Sequence, residues 1–508
     1  MDAIEVEPQR HLAADRARHL PDGWCWATLE TVSPVNPATN FDDLPQDHDI
    51  PFIPMAAVSE ETGVVDSSAR RKVSDVAKGY VRFMEGDVIF AKITPCMENG
   101  KVAPVSGFGS DYAAGSTEFH VLRPVAVEQR YLWYWLVSRG FRAVAKRNMS
   151  GSAGQLRVPV SYLRASAIPL PPRAEQRRII ERIDALFAEI AEGEAALEEA
   201  RQGLEIFRRS LLKAAVTGEL TRDWRETNMP PETGHDLLER IRAERQARPS
   251  TKRRKQDLTP IKETGLAKLP SSWARARLGD LFDVNTGSTP SRSKPELWDG
   301  DVPWVSSGEV AFCRISSTRE KISRSSIGKN ISRINPIGTV LLAMIGEGKT
   351  RGQCAILDIE AANNQNVAAI KVSKTEIPPD FIYTSLQQRY FSSRRESQGG
   401  NQPALNASKV ASMTIALPPL EEIQEINSIL SGMLSEIAES EMVITAELSR
   451  SIKLRSSISK AAFEGKLVPQ DSTDEPAAIL LERLARERQQ PSKSRRGRKP
   501  KSGAKRKA

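Results

Sequence analysis

The sequence contains few of the residues from which most catalytic centres are built. Its 508 residues include only four cysteines and five histidines. No CxxC pair and no Cys–His cluster with metal-ligand spacing occurs, so we predict ordinary reduced thiols and no metal site. The HExxH, GxSxG and GxGxxG patterns are absent, as is the Asn/Asp-Pro-Pro-aromatic run of adenine methyltransferases. These absences favour a binding and scaffolding protein over an enzyme.

Long apolar runs are also missing. The first 20 residues, MDAIEVEPQRHLAADRARHL, are polar, and the longest apolar run is TVLLAMI at residues 339–345. Such a run is far too short to cross a bilayer. We therefore expect a soluble protein that is not exported.

Basic residues are in excess, but most of the excess lies in one place. The formal net charge is +9, and the last 18 residues, PSKSRRGRKPKSGAKRKA, contain nine Lys or Arg and no acidic residue. Without this segment the chain is formally neutral. A basic tail attracts nucleic acid without revealing what the folded part does, so local patches must identify the partner.

The most informative feature is an internal repeat of about 250 residues. LPDGWCWATLETV at residues 20–32 returns as LPSSWARARLGDLFDV at residues 269–284, and LKAAVTGEL at residues 212–220 returns as SKAAFEGKL at residues 459–467. A unit of this length is a whole domain with its helices, far longer than a solenoid repeat. The chain is therefore expected to have pseudo-two-fold symmetry, as in an isologous dimer.

Each repeat begins with a globular segment whose pattern predicts a mixed α/β domain. Short β-branched and aromatic runs such as DIPFIPM, GDVIFAKI and GTVLLAMI alternate with one convincing helix in each copy. Gly and Pro interrupt these runs. A double proline, at residues 171–172 and again at residues 418–419, then ends the domain and leads into a long helix.

Apolar residues in the long helices step by four and three, which indicates a coiled coil. A helix of about 40 residues is about 60 Å long and overhangs a domain of this size. We therefore predict that the two helices pair with each other, although each could instead cover its own domain. The predicted pairing residues are Ile179, Ile183, Leu186, Ile190, Leu197, Leu204, Phe207, Leu211, Ile426, Leu430, Met433, Ile437, Ile444, Leu454 and Ile458.

One motif resembles a nucleotide-binding loop. AMIGEGKT at residues 343–350 places Gly348, Lys349 and Thr350 where such a loop holds phosphates and magnesium. A functional loop opens a helix, whereas the following RGQCAILDI predicts a β-strand. Ala343 also replaces the first glycine, and the equivalent AKITPCMENGK of the first repeat has no Gly-Lys-Thr. ATP binding by the isolated chain would favour this alternative.

Polar loops in both domains carry side chains of the types that can contact DNA bases. Arg, Asn and Gln form bidentate contacts to guanine and adenine edges, and they recur here on Gly-flexed loops. In the first domain the candidates are Lys92, Lys101, Ser116, Thr117, Glu118, Arg147, Asn148, Gln155 and Arg157. In the second domain they are Ser288, Arg292, Lys294, Lys349, Arg351, Asn364, Gln365, Arg394, Asn401, Gln402, Asn406 and Lys409.

These features together resemble the specificity subunit of type I restriction-modification systems. The resemblance covers about residues 20–490 and is carried by the LPP entry to each long helix and the KAA..GEL or KAA..GKL motif that closes it. GSTEFHVLRP at residues 115–124 is similar to a run common in that family's recognition domains. NNQNVAAIKV at residues 363–372 is a looser equivalent.

The resemblance implies two mixed α/β target recognition domains joined by two long antiparallel coiled-coil helices. Each domain would read one half of a bipartite, asymmetric site in double-stranded DNA. It also implies assembly with two methyltransferase subunits, which methylate N6 of adenine, and with restriction subunits that translocate and cut DNA. S-adenosylmethionine, ATP and magnesium would belong to those partners and not to this chain. The location would be the cytoplasm of a bacterium or archaeon, on DNA.

The expected domain boundaries follow from the repeat. They are an N-terminal extension (1–19), the first recognition domain (20–170), a helical spacer with a basic linker (171–256), the second recognition domain (257–417), a second helical spacer (418–490) and a disordered basic tail (491–508). Besides the nucleotide-binding enzyme, a coiled-coil adapter that binds DNA without sequence specificity stays open as an alternative.

Overall fold

The chain forms two compact units in a computed structural model that describes residues 19–152, 154–247, 261, 267–328, 333–345, 350–396 and 405–489. The first unit comprises Met1–Ala196 and Ala446–Ala508, and the second comprises Leu197–Thr445. Each unit therefore combines one globular domain with parts of both long helices. No helix in the described part of the chain is long and apolar enough to span a bilayer.

The domain of the first unit is mixed α/β, as predicted. Its strands are β1 (Cys25–Thr28), β2 (Asp49–Ile53), β3 (Arg70–Lys72), β4 (Val81–Met84), β5 (Val88–Ala91), β6 (Val102–Pro104), β7 (Tyr112–Gly115), β8 (Phe119–Leu122) and β9 (Ala167–Leu170). Its helices are α1 (Leu29–Val32), α2 (Gln129–Val137), α3 (Arg139–Arg147) and α4 (Val160–Ala165). The strand orders are β3-β2-β7-β4, β6-β5-β8 and β1-β9. Strands β5 and β8 are fully buried, as expected for their β-branched and aromatic residues.

A long helix follows the first domain. Helix α5 (Arg173–Thr217) begins directly after the double proline, because proline fits the start of a helix but not its interior. It ends before Gly218, whose positive φ of 86° is the left-handed conformation that closes many helices. The short helices α6 (Arg222–Thr227) and α7 (Gly234–Ala247) come next.

The second unit repeats this order of elements. Its domain contains the helices α8 (Leu278–Leu281), α9 (Pro379–Glu396) and α10 (Ala407–Ala411). Its strands are β10 (Ala274–Arg277), β11 (Val284–Thr286), β12 (Val302–Val305), β13 (Cys313–Ile315), β14 (Glu320–Ile322), β15 (Val340–Ala343), β16 (Cys354–Leu357), β17 (Ala362–Asn363), β18 (Val367–Ile370) and β19 (Thr414–Leu417). They form sheets ordered β11-β18-β15-β16-β13, β14-β12-β17 and β10-β19. The long helix α11 (Leu420–Phe463) and the short helix α12 (Ala477–Gln489) follow.

Short 3-10 turns punctuate both domains. They are Met55–Ala57, Val73–Val76, Pro295–Leu297, Ser307–Glu309, Arg324–Ser326 and Val372–Lys374.

Each domain is closed by a two-stranded antiparallel sheet that joins its first and last strands. Cys25 of β1 lies opposite Leu170 of β9, and Ala274 of β10 lies opposite Leu417 of β19. The chain therefore leaves each domain beside the point where it entered. This arrangement places the start of each long helix next to the start of its own domain.

Within each unit the long helices run antiparallel and are joined by ion pairs. In the first unit Arg455 contacts Glu194 at 2.9 Å, and in the second Arg208 contacts Glu441 at 3.0 Å. Of the predicted pairing residues, the buried ones are Ile179, Ile183, Leu211, Ile426, Leu430, Ile437, Ile444 and Ile458. Partly buried ones that pack against the two cores are Leu186, Ile190, Leu204 and Met433.

Two predicted pairing residues lie in a different position. Phe207 is 46% exposed and Leu454 is 48% exposed, so neither is a buried contact of the helix pair. Leu211 and Ile458, which lie one turn further along the same helices, are buried. The stripes therefore stay on the contact face, and only these two side chains point away from it.

The short segment after each long helix docks on the start of the domain in the same unit. In the second unit the backbone N–H of Gly234 donates to the Ser272 carbonyl at 2.8 Å. In the first unit the N–H of Ala477 donates to the Gly23 carbonyl at 2.9 Å. The core of the first unit consequently includes Phe463 and Leu480, which lie far from the first domain in sequence.

Candidate nucleic-acid interface

Three loops of the first domain meet where β5 ends and β8 begins. The backbone N–H of Lys92 donates to the Glu118 carbonyl at 2.9 Å, and the N–H of Val158 donates to the Lys92 carbonyl at 2.8 Å. The Lys92 ammonium also donates to the Thr117 carbonyl at 2.7 Å. The structure thus brings together candidates that are widely separated in sequence, and it forms a polar surface from them.

An Arg–carboxylate pair lies at the centre of this surface. Arg157 Nε donates to Glu118 Oε2 and Nη2 donates to Oε1, both at 2.9 Å. The Arg157 guanidinium, with help from Lys92, holds the pKa of Glu118 below its usual value. Glu118 is therefore a carboxylate at neutral pH, and its negative charge is balanced locally by the two basic side chains.

The remaining candidates of the first domain surround this pair. Lys101 Nζ donates to the Met55 carbonyl at 3.2 Å, and the Ser116 hydroxyl accepts from the Glu118 N–H at 3.2 Å. Gln155 is exposed, and its carbonyl accepts from Arg157 Nη1 at 3.3 Å. Thr117 is exposed as well. Ser116 and Gln155 are thus bonded to members of the pair, whereas the Lys101 ammonium contacts the segment that carries Met55.

Arg147 and Asn148 lie at the end of α3 and make local contacts. Arg147 Nε donates to the Ala143 carbonyl at 3.2 Å, and Asn148 Nδ2 donates to the Val144 carbonyl at 2.9 Å. Both residues therefore satisfy carbonyl groups at a helix C-terminus. The Asn148 side chain has a capping role, and the exposed Arg147 adds positive charge near the loop that carries Arg157.

Sequence reasoning missed His120, which organises the same junction. Its ring accepts from Asn36 Nδ2 at Nδ1 over 3.0 Å, because Asn36 Oδ1 already accepts from the Val121 N–H. The other ring nitrogen, Nε2, then donates to the Val158 carbonyl at 2.9 Å. Burial lowers the pKa of His120, so the ring is neutral and ties β8 to the Arg157 loop. Its place in GSTEFHVLRP was the available signal.

Three candidates of the second domain contact neighbouring loops. Arg292 stacks over the Trp298 ring, with 3.6 Å between its guanidinium carbon and the ring centre, and donates to Glu320 at 2.9 Å. Gln365 accepts from the Thr289 hydroxyl at 2.5 Å, and the Ser288 N–H donates to the Asn363 carbonyl. Arginine stacked on an aromatic ring is positioned for planar recognition.

The other described candidates of the second domain have different environments. Lys294 is exposed and Arg351 is partly buried. Asn364 is only 7% exposed and its side chain accepts from the Asn366 N–H, so it shapes the loop from inside. Asn406 caps α10 by accepting from the Lys409 N–H at 2.8 Å, a local contact typical of Asn at this position. Lys409 itself lies within α10.

Four candidates lie wholly or partly outside the described residues. Lys349, Asn401 and Gln402 lie outside the described residues, and of Arg394 only its position in α9 is described. The predictions made for these residues stay predictions.

The nucleotide-loop alternative finds no support in the fold. The motif follows strand β15, and residues 346–349 lie outside the described part of the chain. The next element is strand β16, where a phosphate-binding loop requires the N-terminus of a helix. No group of His, Cys, Asp and Glu that could hold a metal ion occurs among the described residues.

A groove of about 1560 Å³ lies within the first unit, between the helices of its domain and the long helices. Aromatic and basic side chains line it, including Phe187, Phe463 and Arg455. The indole N–H groups of Trp26 and Trp135, which also line it, are buried and have no hydrogen-bond partner in the part of the chain that the structure describes.

A duplicated mixed α/β domain with polar loops, built on paired long helices, defines a binding protein with two related surfaces. The profile of the type I restriction modification DNA specificity domain matches this chain twice, at residues 21–199 and 270–450. The two matches cover well over half of the chain, and each includes one domain with the first part of its long helix. The chain belongs to this family.

Two similar proteins are named as specificity subunits of type I restriction enzymes. The EcoAI specificity subunit of Escherichia coli is 31% identical over 314 residues, which are 53% of this chain and 52% of that relative. This chain therefore matches about half of the length of the EcoAI subunit. The EcoEI specificity subunit of Escherichia coli is 25% identical over 461 residues, covering 79% of this chain and 76% of the relative.

Solved structures of type I restriction-modification proteins share the fold. One chain, from a study of complex assembly and conformational transition of the type I R-M system, superposes with a TM-score of 0.66 at 20% identity, covering 88% of this chain and all of that one. The HsdS subunit of Thermoanaerobacter tengcongensis gives a TM-score of 0.55 at 20% identity, with 89% and 100% coverage. These comparisons confirm the predicted fold class.

Proposed function

We propose that this chain is the DNA-specificity subunit of a type I restriction-modification complex, in which each domain reads one half of a bipartite, asymmetric DNA site. The observation that carries the proposal is the duplicated surface. Both domains place polar side chains at the same end of an equivalent strand pair, yet the side chains differ. Two related surfaces with different donors and acceptors suit a site whose halves have different sequences.

The chemistry would then belong to partner subunits. We propose that methyltransferase subunits bring S-adenosylmethionine and methylate N6 of adenine, and that restriction subunits bring ATP and magnesium. A methyltransferase must extrude its target base from the stack. This chain would hold the DNA while the partner takes the adenine, which accords with the lack of catalytic motifs in its sequence.

The long helices would dock these partners. In the second unit four large apolar side chains are exposed beside the Arg208–Glu441 ion pair. They are Ile206 (66%), Phe207 (46%), Met442 (65%) and Val443 (62%). Exposed apolar groups clustered in this way mark interaction sites. Their place on the paired helices supports docking of a helical segment from a methyltransferase subunit.

Methylation by the assembled complex tests the proposal. The chain would be co-purified with its methyltransferase subunit and incubated with S-adenosylmethionine and genomic DNA, and methylated adenines would be mapped by sequencing. We expect methylation at one split, asymmetric sequence. The methyltransferase subunit without this chain should give none. Methyl transfer by this chain alone, or ATP hydrolysis by it, would contradict the assignment.

Co-purification tests the docking surface separately. Met442→Gln with Val443→Gln should lower recovery of the methyltransferase subunit, because it removes exposed apolar area without disturbing a core. Ile479→Gln is the matched control, since Ile479 is 49% exposed on α12, away from this surface. Equal recovery with both variants would remove this surface from the proposal.

A further inference from the structure

One backbone junction occurs in both domains. In the second domain the N–H of Met344 donates to the Asn366 carbonyl at 2.8 Å, and the N–H of Leu405 donates to the Met344 carbonyl at 3.3 Å. These hydrogen bonds repeat those among Lys92, Glu118 and Val158 of the first domain. The strand registers agree, because Ala91 pairs with Phe119 and Ala343 pairs with Val367.

The side chains on this shared junction differ completely. Lys92 and Glu118 correspond to Met344 and Asn366. Arg157, which precedes Val158, corresponds to residue 404, an alanine that precedes Leu405 in the sequence. The strand residues directly next to the junction, Ala91 and Phe119 in the first domain and Ala343 and Val367 in the second, are buried and apolar. One chain has thus kept a backbone frame twice while changing the charged side chains that it carries.

From this comparison we propose that Lys92, Glu118 and Arg157 form the specificity-determining junction of the first domain. Arg157 reads a guanine, and Glu118 is a positioning residue for its guanidinium. This inference rests on the proposed function, because it assigns named residues to the reading of the first half-site.

Among the described residues, the hydrogen bonds of Arg157 do not use all of its N–H donors. Of its five N–H groups, two donate to Glu118 and one to the Gln155 carbonyl. In the part of the chain that the structure describes, the second N–H of each terminal nitrogen has no acceptor. Two such donors match the O6 and N7 acceptors of guanine in the major groove. The bond to Glu118 fixes the plane of the guanidinium, so less conformational freedom is lost when DNA binds.

A second Arg–carboxylate pair lies at the opposite end of the same strands, and its burial can be compared with that of Glu118 and Arg157. Asp87 precedes β5 and Arg123 follows β8, and they are joined by two hydrogen bonds of 2.8 Å. The Asp87 side chain is 1% exposed, whereas those of Glu118 and Arg157 are 26% and 40% exposed. Exposed ion pairs add little to stability, so the Glu118–Arg157 pair is better explained by recognition than by folding.

Methylation specificity of the assembled complex tests the junction. Rates would be measured on duplexes that carry every base pair at each position of the first half-site, with the second half-site fixed. Arg157→Ala should lose roughly 5- to 150-fold of the preference for a G·C pair at one position of the first half-site. Arg157→Lys should lose most of it, because an ammonium lacks the fork. Glu118→Gln should weaken the preference at that same position by a smaller factor.

The chain supplies its own well-matched replacement. Combining Lys92→Met, Glu118→Asn and Arg157→Ala gives the first domain the residues found at the corresponding sequence positions of the second. This variant should fold, and its preference should change in the first half-site alone. Arg123→Lys is the control, because it should lower the melting temperature and leave base preferences unchanged.

The outcomes separate this inference from the proposed function. If the wild-type complex methylates a split site and Arg157→Ala leaves every first-half preference intact, the junction assignment is wrong and the proposed function stands. A uniform fall in rate on all duplexes would identify Arg157 as a phosphate contact and also overturn it. If the wild-type complex methylates no split site, the proposed function fails and this inference fails with it.

Discussion

A buried glutamate lies in the first turn of the long helix in both units, but the groups around the two carboxylates differ. Glu175 accepts from Trp24 Nε1 at 2.9 Å and from the Gln470 amide at 3.2 Å. Glu422 accepts from Trp273 Nε1 at 2.8 Å, from the Thr221 hydroxyl at 2.6 Å and also from Arg225. One carboxylate is therefore held by neutral donors alone, and the other includes a guanidinium among its partners.

The difference shows which part of the repeat is fixed. In both units a carboxylate at the start of a long helix contacts the start of the domain and the segment that follows the other long helix. In both units it also accepts a hydrogen bond from a tryptophan indole. The charge balance is not fixed. Burial raises the pKa of Glu175 above its usual value, and the hydrogen bonds from Gln470 and Trp24 offset this effect only in part. Equivalent geometry thus coexists with different electrostatics, as in the recognition loops.

A half-chain fragment gives the largest expected effect. A fragment of residues 1–256 lacks Ile458, Ala462 and Phe463, which belong to the core of the first unit. It retains Leu211 and Ala215, their counterparts in the second unit. Two fragments should therefore complete each other and form a dimer, as measured by light scattering. With methyltransferase subunits, the dimer should recognise a symmetric split site. A monomeric fragment would contradict the equivalence of the two units.

Substituting the two glutamates should lower the free energy of unfolding by different amounts in the two units. Glu422→Gln leaves Arg225, whose side chain is only 17% exposed, without its carboxylate. Removing one partner of a buried pair costs about 3–5 kcal/mol. Glu175→Gln keeps an acceptor for Trp24 and should cost about 1 kcal/mol or less. Hydrogen exchange measured by mass spectrometry reports each unit separately. Equal destabilisation by both substitutions would show that the charge difference has no energetic consequence.

Two glycines should respond alike, because they occupy equivalent positions. Gly218 has a φ of 86° and Gly465 a φ of 68°, and an added Cβ would lie 2.6 Å from Pro270 and 2.3 Å from Pro21 respectively. Alanine at either position would clash and adopt a disfavoured backbone conformation, costing about 1–2 kcal/mol. Gly193→Ala is the control, because nothing approaches that position within 4 Å. Tolerance at only one of the two sites would break the symmetry of the junctions.

The smallest expected effect is a pH dependence confined to the first unit. Because the folded-state pKa of Glu175 is raised, its contribution to stability is complete below the unfolded value of about 4.5 and is lost as pH rises through the folded value. The stability of wild type relative to Glu175→Gln should therefore fall as pH rises above 4.5. Urea unfolding at several pH values, followed by hydrogen exchange in the first unit, checks the slope. A difference that grows with pH would mean that the carboxylate is stabilised by its neighbours.

The repeat predicts the domains, the long helices and the polar loops, because each depends on patterns local in sequence. Which chain segments combine into each unit could not be predicted in the same way. Phe463 completes the core around Tyr131, with 5.3 Å between ring centres, and no local pattern links these residues. Polar loop residues also divide into unforeseen roles. Asn364 and Asn406 accept from backbone N–H groups two or three residues away, whereas Arg157 is oriented by Glu118, which lies far away in sequence. No local pattern distinguishes these two kinds of contact.

Duplicating one domain tests the central claim most directly. Replacing residues 274–417 with residues 25–170 exchanges the second domain for a copy of the first between equivalent strands, β10 to β19 and β1 to β9. If each domain reads one half-site, methylation mapping of the assembled complex should give a symmetric split sequence composed of the first half-site and its inverse. Methylation of the parental asymmetric sequence by this variant would contradict the account.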